Sequence, residues 1–242
     1  MSIMSVRTNI ASMMAAGQLG RTNKGLTNSL GKISSGLRIN SAAEDAAGLG
    51  VATNLESQVI STRQAMRNTN DGISIIQTAE SAANEVTDIL QRMRELAVQS
   101  SSETLADSER SFITDEFNQL RSEVQRIATV TEFNGLSLAD GNTTSISVQV
   151  GIQNATSSRI DITLGDLTSS GLAINNLDLS SVTNARASID TLDTALNSVN
   201  SFRSQFGAVQ NRLDSALNNS QINVEALSSA SSQIMDTDFA TE

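Results

Sequence analysis

The chain has 242 residues, a net charge of −10 and no His, Cys, Trp, Tyr or Pro. The missing His and Cys remove imidazole bases, thiol nucleophiles, disulfides and the nitrogen and sulfur ligands of zinc or copper. The acidic balance excludes a phosphate-binding groove built on clustered Lys and Arg, so no nucleic-acid partner is expected.

A length of this order can bury a substantial core. With 2% aromatic residues, that core must be Leu, Ile, Val, Met and Ala. The absence of Pro suits long helices, because Pro deletes a ladder hydrogen bond and clashes with the preceding turn. Charge is unevenly placed. Residues 1–70 carry seven Lys and Arg against three acids, and the remainder carries nine against 23. Solvated helix faces explain both halves, and complementarity between neighbouring copies is the alternative reading.

From about Ser5 to Leu37, residues Ile10, Met13, Met14, Leu19, Leu26, Leu30, Ile33 and Leu37 fall mostly three, four or seven apart. That spacing predicts one apolar stripe on a helix. Met1 to Gly20 has no compact apolar run before a cleavage site, so it is not read as a Sec signal peptide. Ser34, Ser35 and Gly36 break the helix, and Asn40 to Gly50 reads as a connector of small residues. The second helix has the clearest period, with Ile73, Ile76, Ala79, Ala83, Val86, Leu90, Met93 and Ala97 stepping by threes and fours. Extended back to about Leu55, it spans roughly 45 residues, about 70 Å.

Ser100 to Ser108 is a polar joint able to cap a third helix over 108–130, whose stripe is Ile113, Phe117, Leu120, Val124 and Ile127. Asn134-Gly135 and Asp140-Gly141 supply turn chemistry. Ile146, Val148 and Val150, then Ile160, Ile162 and Leu164, alternate with polar residues, which predicts a β-hairpin over about 144–165. Leu167 to Thr183 reads as an irregular return. A last long helix, 185–235, carries Ile189, Leu192, Leu196, Val199, Phe202, Phe206, Val209, Leu213 and Leu217. The expected fold is mainly α: a long antiparallel coiled-coil-like bundle with a small β-hairpin region at one end, at shallow crossing angles. No run approaches the ~18 to 20 apolar residues of a membrane span, so no membrane insertion is expected.

Motifs for catalysis are weak. Asp236 and Asp238 stand two apart, a spacing that points them away from each other on a helix. Gly48-Leu49-Gly50 lacks a P-loop lysine. Ser29 and Lys32 have Ser-x-x-Lys spacing without the Ser-Asp-Asn and Lys-Thr-Gly companions of that chemistry. No Asp-x-Asp-x-Asp-Gly calcium loop is present. No enzyme activity and no cofactor are expected. Arg92, Arg94, Glu95 and Leu96 flank the seam residue Met93; they are either a solvated charged face, with Arg92 and Glu95 paired, or a contact surface for a partner.

Several runs carry a resemblance. They are Thr8 to Ser12; Leu30 to Leu49, reading LGKISSGLRINSAAEDAAGL; Asp71 to Ser74; Leu90 to Ser100, reading LQRMRELAVQS; Glu132 to Gly135; and Ile234 to Ala240. In that order the chain resembles flagellin, the subunit of the bacterial flagellar filament, with the weakest match from about Asn142 to Thr183. The resemblance implies an amino-terminal inner helix and connector over 1–44. It implies an outer core over 45–235, and the start of a carboxyl-terminal inner helix over 236–242, the rest of that helix being missing. It implies no large variable outer domain. It also implies secretion by the flagellar type III export machinery and polymerisation with other flagellin copies into an extracellular filament for motility. A hook–filament junction protein of related helical design is the alternative. Matched by motif, Arg92 and Leu96, and by spacing Glu116, fall where the family presents a surface to other subunits and to Toll-like receptor 5 of a host, with Leu96 expected to be exposed.

Overall fold

A computed structural model describes residues 9–241. The start of the predicted first helix from Ser5, Thr8 of the opening motif, and Glu242 lie outside the described residues. The helices are α1 (Ile10–Ser35), α2 (Ala46–Ser100), α3 (Asp107–Val130) and α4 (Val182–Met235). The short strands β1 (Glu132–Phe133) and β2 (Leu136–Ser137), then β3 (Ser145–Gln149) and β4 (Arg159–Thr163), form two antiparallel pairs. The mainly α fold with its small hairpin is as the hydrophobic periods predict.

Two compact units divide the chain, one within Met1–Ser61 and Ile222–Glu242, the other Thr62–Gln221. In the first, α1 begins where the Asn9 side chain accepts the Ser12 amide at 3.0 Å and ends at Gly36, φ +72°, whose amide donates to Lys32. Glycine suits this left-handed closing residue because it has no Cβ to clash. None of the α1 residues is buried. The segment after it pairs with the end of α4. Leu37 bridges Asp236, the Arg38 amide donates to Met235 O at 2.6 Å, and the Arg38 guanidinium donates to Ile234 O at 2.6 Å. These donors satisfy carbonyls that a helix end leaves without partners.

α2 starts nine residues before the expected Leu55. The small residues from Ala46 to Gly50 read as a connector, but Ala is the best helix former, and the Asp45 carboxylate accepts the Gly48 amide at 2.8 Å to open the helix. The α3 cap also lies within the predicted joint. There the Glu109 carboxylate accepts the Ala106 amide at 3.1 Å, one half of a capping box.

In the second unit, the predicted α2 stripe is buried from Ile76 to Ala97, and its part from Ala83 to Ala97 packs with Ile113, Phe117 and Val124 of α3 and Leu192, Ala195 and Val199 of α4. The return loop contributes Leu167, Leu172, Ile174 and Leu179 to the same core. Composition rich in Ser and Asn concealed this. The loop satisfies its backbone locally: the Asp166 carboxylate accepts the Thr168 amide and hydroxyl at 2.9 and 2.6 Å, and the Leu172 amide donates to Thr168 O. Gly141 and Gly171 leave the room that Asp166 occupies.

The β3–β4 hairpin has the register Ser145↔Thr163 through Gln149↔Arg159. Its inward residues Val148, Ile160 and Ile162 join Ile75, Ile76 and Ala79 of α2 and Phe206 and Leu213 of α4 in a second cluster. A sheet this small is stable only with such a packed face. It therefore sits at the end of the unit away from Ser100, where α2 turns back. The β1–β2 hairpin is too short for a period-two pattern to show; its turn is Asn134-Gly135.

Candidate interaction surface

Nothing in the described residues gathers three or more carboxylate side chains in metal-binding geometry, and no helix of the described residues is long and apolar enough to cross a membrane. The chemistry available is a face of charged and apolar groups on α2 and α3, so the surface is built from there.

Arg92 reaches across to α3. Its Nε and Nη2 donate to Glu116 Oε1 at 3.1 and 2.8 Å, and its Nη1 donates to Glu95 Oε2 at 3.0 Å. The hydrogen bonds to Glu116, then to Glu95, raise the Arg92 pKa above its ordinary value. The Arg92 and Glu116 side chains are 51% and 47% exposed. Water screens a pair this exposed, so it adds little to stability. Its larger effect is geometric: it fixes two long side chains in one arrangement before any partner arrives. The Arg92–Glu95 pair read from sequence is present, and the bridge to Glu116 joins two residues that the family resemblance had placed on one surface.

Leu96 is a correction. It is 1% exposed and lies in the core with Met93, Ile113 and Phe117. A single stripe through Met93 and Ala97 left Leu96 on a flank, but α2 has two packing partners. Adjacent residues are therefore buried together at Ala82 and Ala83, Ile89 and Leu90, and Leu96 and Ala97. An arc this wide exceeds one helix–helix seam.

The exposed apolar residue on this face is Phe112 of α3, at 73% exposure. It stands four residues before Glu116, one helical turn away on the same side. Its signal in the sequence is an aromatic one position off the stripe that begins at Ile113. On another side of α2, Arg94 donates to both carboxylate oxygens of Asp193 in α4, at 2.5 and 3.3 Å. That hydrogen bonding holds the Asp193 carboxyl below its ordinary pKa. The pair Ser29 and Lys32 lies half-buried on α1, and Asp236 instead accepts a hydrogen bond from Ser232 Oγ at 2.5 Å.

Comparison with known proteins decides the family. The family model described as the bacterial flagellin N-terminal helical region matches residues 6–144, and that of the C-terminal helical region matches residues 189–242. The chain belongs to the bacterial flagellin family. It is 42% identical over 240 residues to a flagellin from Halalkalibacterium halodurans, covering 99% of this chain and 88% of that one. It is 36% identical over 253 residues to a flagellar filament 33 kDa core protein from Treponema phagedenis, again over 99% and 88%. The crystal structure of Bacillus cereus flagellin superposes with a TM-score of 0.57 at 33% identity, covering 64% of this chain and 88% of that chain. The residues between the two family matches contain the β3–β4 hairpin and the return loop. As a flagellin, the chain is a structural subunit of the bacterial flagellar filament.

Proposed function

We propose that this flagellin polymerises through side-to-side contacts in which Arg92, Glu116 and Phe112 form one patch facing a neighbouring copy. The observation that supports it most is the Arg92–Glu116 bridge, made across α2 and α3 beside an exposed Phe. An apolar anchor beside preorganised polar groups is the composition that concentrates binding energy at interfaces. Before assembly the same patch is open to a receptor, and Toll-like receptor 5 is the host partner assigned to it. Leu96 supports this face from beneath and takes no direct part.

The inner helix and connector are assigned to 1–44 and the outer core to 45–235. On this reading the exposed α1 stripe needs a partner in the assembled filament. The subunit reaches the cell exterior unfolded through the flagellar export machinery and catalyses no reaction. The filament core name of the Treponema phagedenis relative favours this over a hook–filament junction role.

Paired variants test the patch. Arg92→Ala with Glu116→Ala should leave the urea unfolding midpoint nearly unchanged, while reducing filament assembly and receptor-reporter activation by the monomer. Leu96→Ala should instead cost roughly 2 to 5 kcal/mol of stability. Wild-type assembly by the double variant would overturn the patch.

A further inference from the structure

Asn134-Gly135 is the chain's one Asn-Gly sequence, and it occupies the two-residue turn between β1 and β2. The pairs Glu132↔Ser137 and Phe133↔Leu136 close on it. Asn134 has φ +51° and Gly135 φ +77°, the two left-handed residues of a type I′ hairpin turn. Both residues are exposed to water.

We infer that Asn134 is a self-modification site gated by folding: the unfolded chain deamidates there, and the β1–β2 turn prevents it. In the reaction the Gly135 nitrogen loses its proton and attacks Asn134 Cγ. A C–N bond forms, the Cγ–NH₂ bond breaks and ammonia leaves, giving a five-membered succinimide. One water then opens the ring at either carbonyl to yield aspartate or isoaspartate. Water and the chain's own groups are the only reactants.

Ring closure requires the Gly135 nitrogen to be nearly eclipsed with Cβ about the Asn134 Cα–C bond. A left-handed residue has ψ of about +47°, which turns that nitrogen almost opposite Cβ, as far from Cγ as rotation allows. Reaching the reactive rotamer means leaving the left-handed region, and the two hairpin pairs break with it. The reaction therefore waits for local opening.

The product acts on the fold in turn. Isoaspartate routes the main chain through Cβ and Cγ, adding one carbon to a two-residue turn. The neighbouring ladder bond, Leu138 N to Thr131 O at 3.0 Å, then loses its register. With it goes the position of Leu138, buried in the cluster that holds Ile162 and Phe206, and of Phe133, packed against that cluster. Modification in the unfolded state thus marks a chain against correct refolding.

The dipeptide Asp140-Gly141 provides an internal comparison. Its carboxylate accepts the Asn142 amide and side-chain nitrogen at 3.0 and 2.7 Å, and those bonds hold its pKa below the ordinary value. An ionised carboxylate is a poor electrophile, so this site should modify little in the native protein.

The test ages the purified monomer in native buffer and in urea at one mildly alkaline pH and temperature. Peptide mapping with isoaspartate detection then follows residue 134. Native protein should modify at least about tenfold more slowly than unfolded protein, and Asn134→Ala should abolish the signal in urea. Equal native and urea rates would overturn the gating. Urea-aged chains are then refolded and their hydrogen exchange measured. The isoaspartate fraction should lose protection at the Leu136 and Leu138 amides, and full protection there would overturn the claim that the product blocks the hairpin.

Discussion

At the residue scale, one buried cation holds the α2–α3 corner together. Arg110 is 4% exposed, and its guanidinium donates to the main-chain carbonyls of Ser100, Ser102 and Leu105. It supplies donors that the end of α2 and the following loop lack internally. Arg110→Met should keep the aliphatic packing and lose these bonds, lowering urea stability by about 2 kcal/mol or more; an unchanged midpoint would mean water replaces it. Acid should act through carboxylates. Hydrogen bonds from the Ser180 hydroxyl to Asp178, from Arg94 to Asp193 and from Arg126 to Glu123 hold these groups below their ordinary pKa values. The unfolded state therefore binds more protons in that range. The stability they add is present above the ordinary carboxylate pKa of about 4 and is lost as pH falls through the folded values. Unfolding midpoints measured across this window should fall with pH, and less steeply in Asp178→Asn. None of this was legible in the sequence. Arg110 stands in an exposed-looking Ser-Glu-Arg-Ser run, and the residues it bonds are main-chain atoms that carry no side-chain signal. The Leu96 error has the same root, because one helix's periodicity does not reveal how many neighbours it has.

At the element scale, periodicity located α2, α3 and α4 and their buried stripes, because each helix has an apolar face that burial rewards continuously along its length. The β3–β4 hairpin was legible for the same reason, with period two replacing 3.6. The return loop was not. Leu172, Ile174 and Leu179 enter the core at irregular spacing, which no periodic template detects. α1 differs from the other helices in that all its stripe residues are outside any core. A helix without tertiary packing keeps only propensity and caps, and those are marginal in water. Its sequence also contains four glycines, at positions 17, 20, 25 and 31, each costing about 1 kcal/mol relative to Ala. Hydrogen exchange on the monomer should find α1 amides exchanging close to the unstructured rate, while amides from Ile76 to Ala97 are protected to near global unfolding. Strong protection throughout α1 would show that something covers the stripe in the monomer.

At the scale of the whole molecule, function rests on distributed surfaces. A chain without His or Cys, and with no three-carboxylate metal cluster among its described residues, concentrates its charged and exposed apolar groups on helix faces instead. Family membership makes the chain a filament subunit, and the match over residues 6–144 spans α1, α2 and α3, which carry those faces. On the proposed reading, the Arg92, Glu116 and Phe112 patch and the α1 stripe take the contacts with further copies. The acidic second part of the chain and its basic first part would steer them together, an effect that weakens with salt. The most direct measurement puts the gene encoding this chain, with an epitope tag in the loop between β3 and β4, into a motile bacterium deleted for its own flagellin. Immunogold electron microscopy then shows where the tagged subunit sits. Label is expected along the entire length of the filaments. Label confined to the hook end, without filament growth, would contradict it.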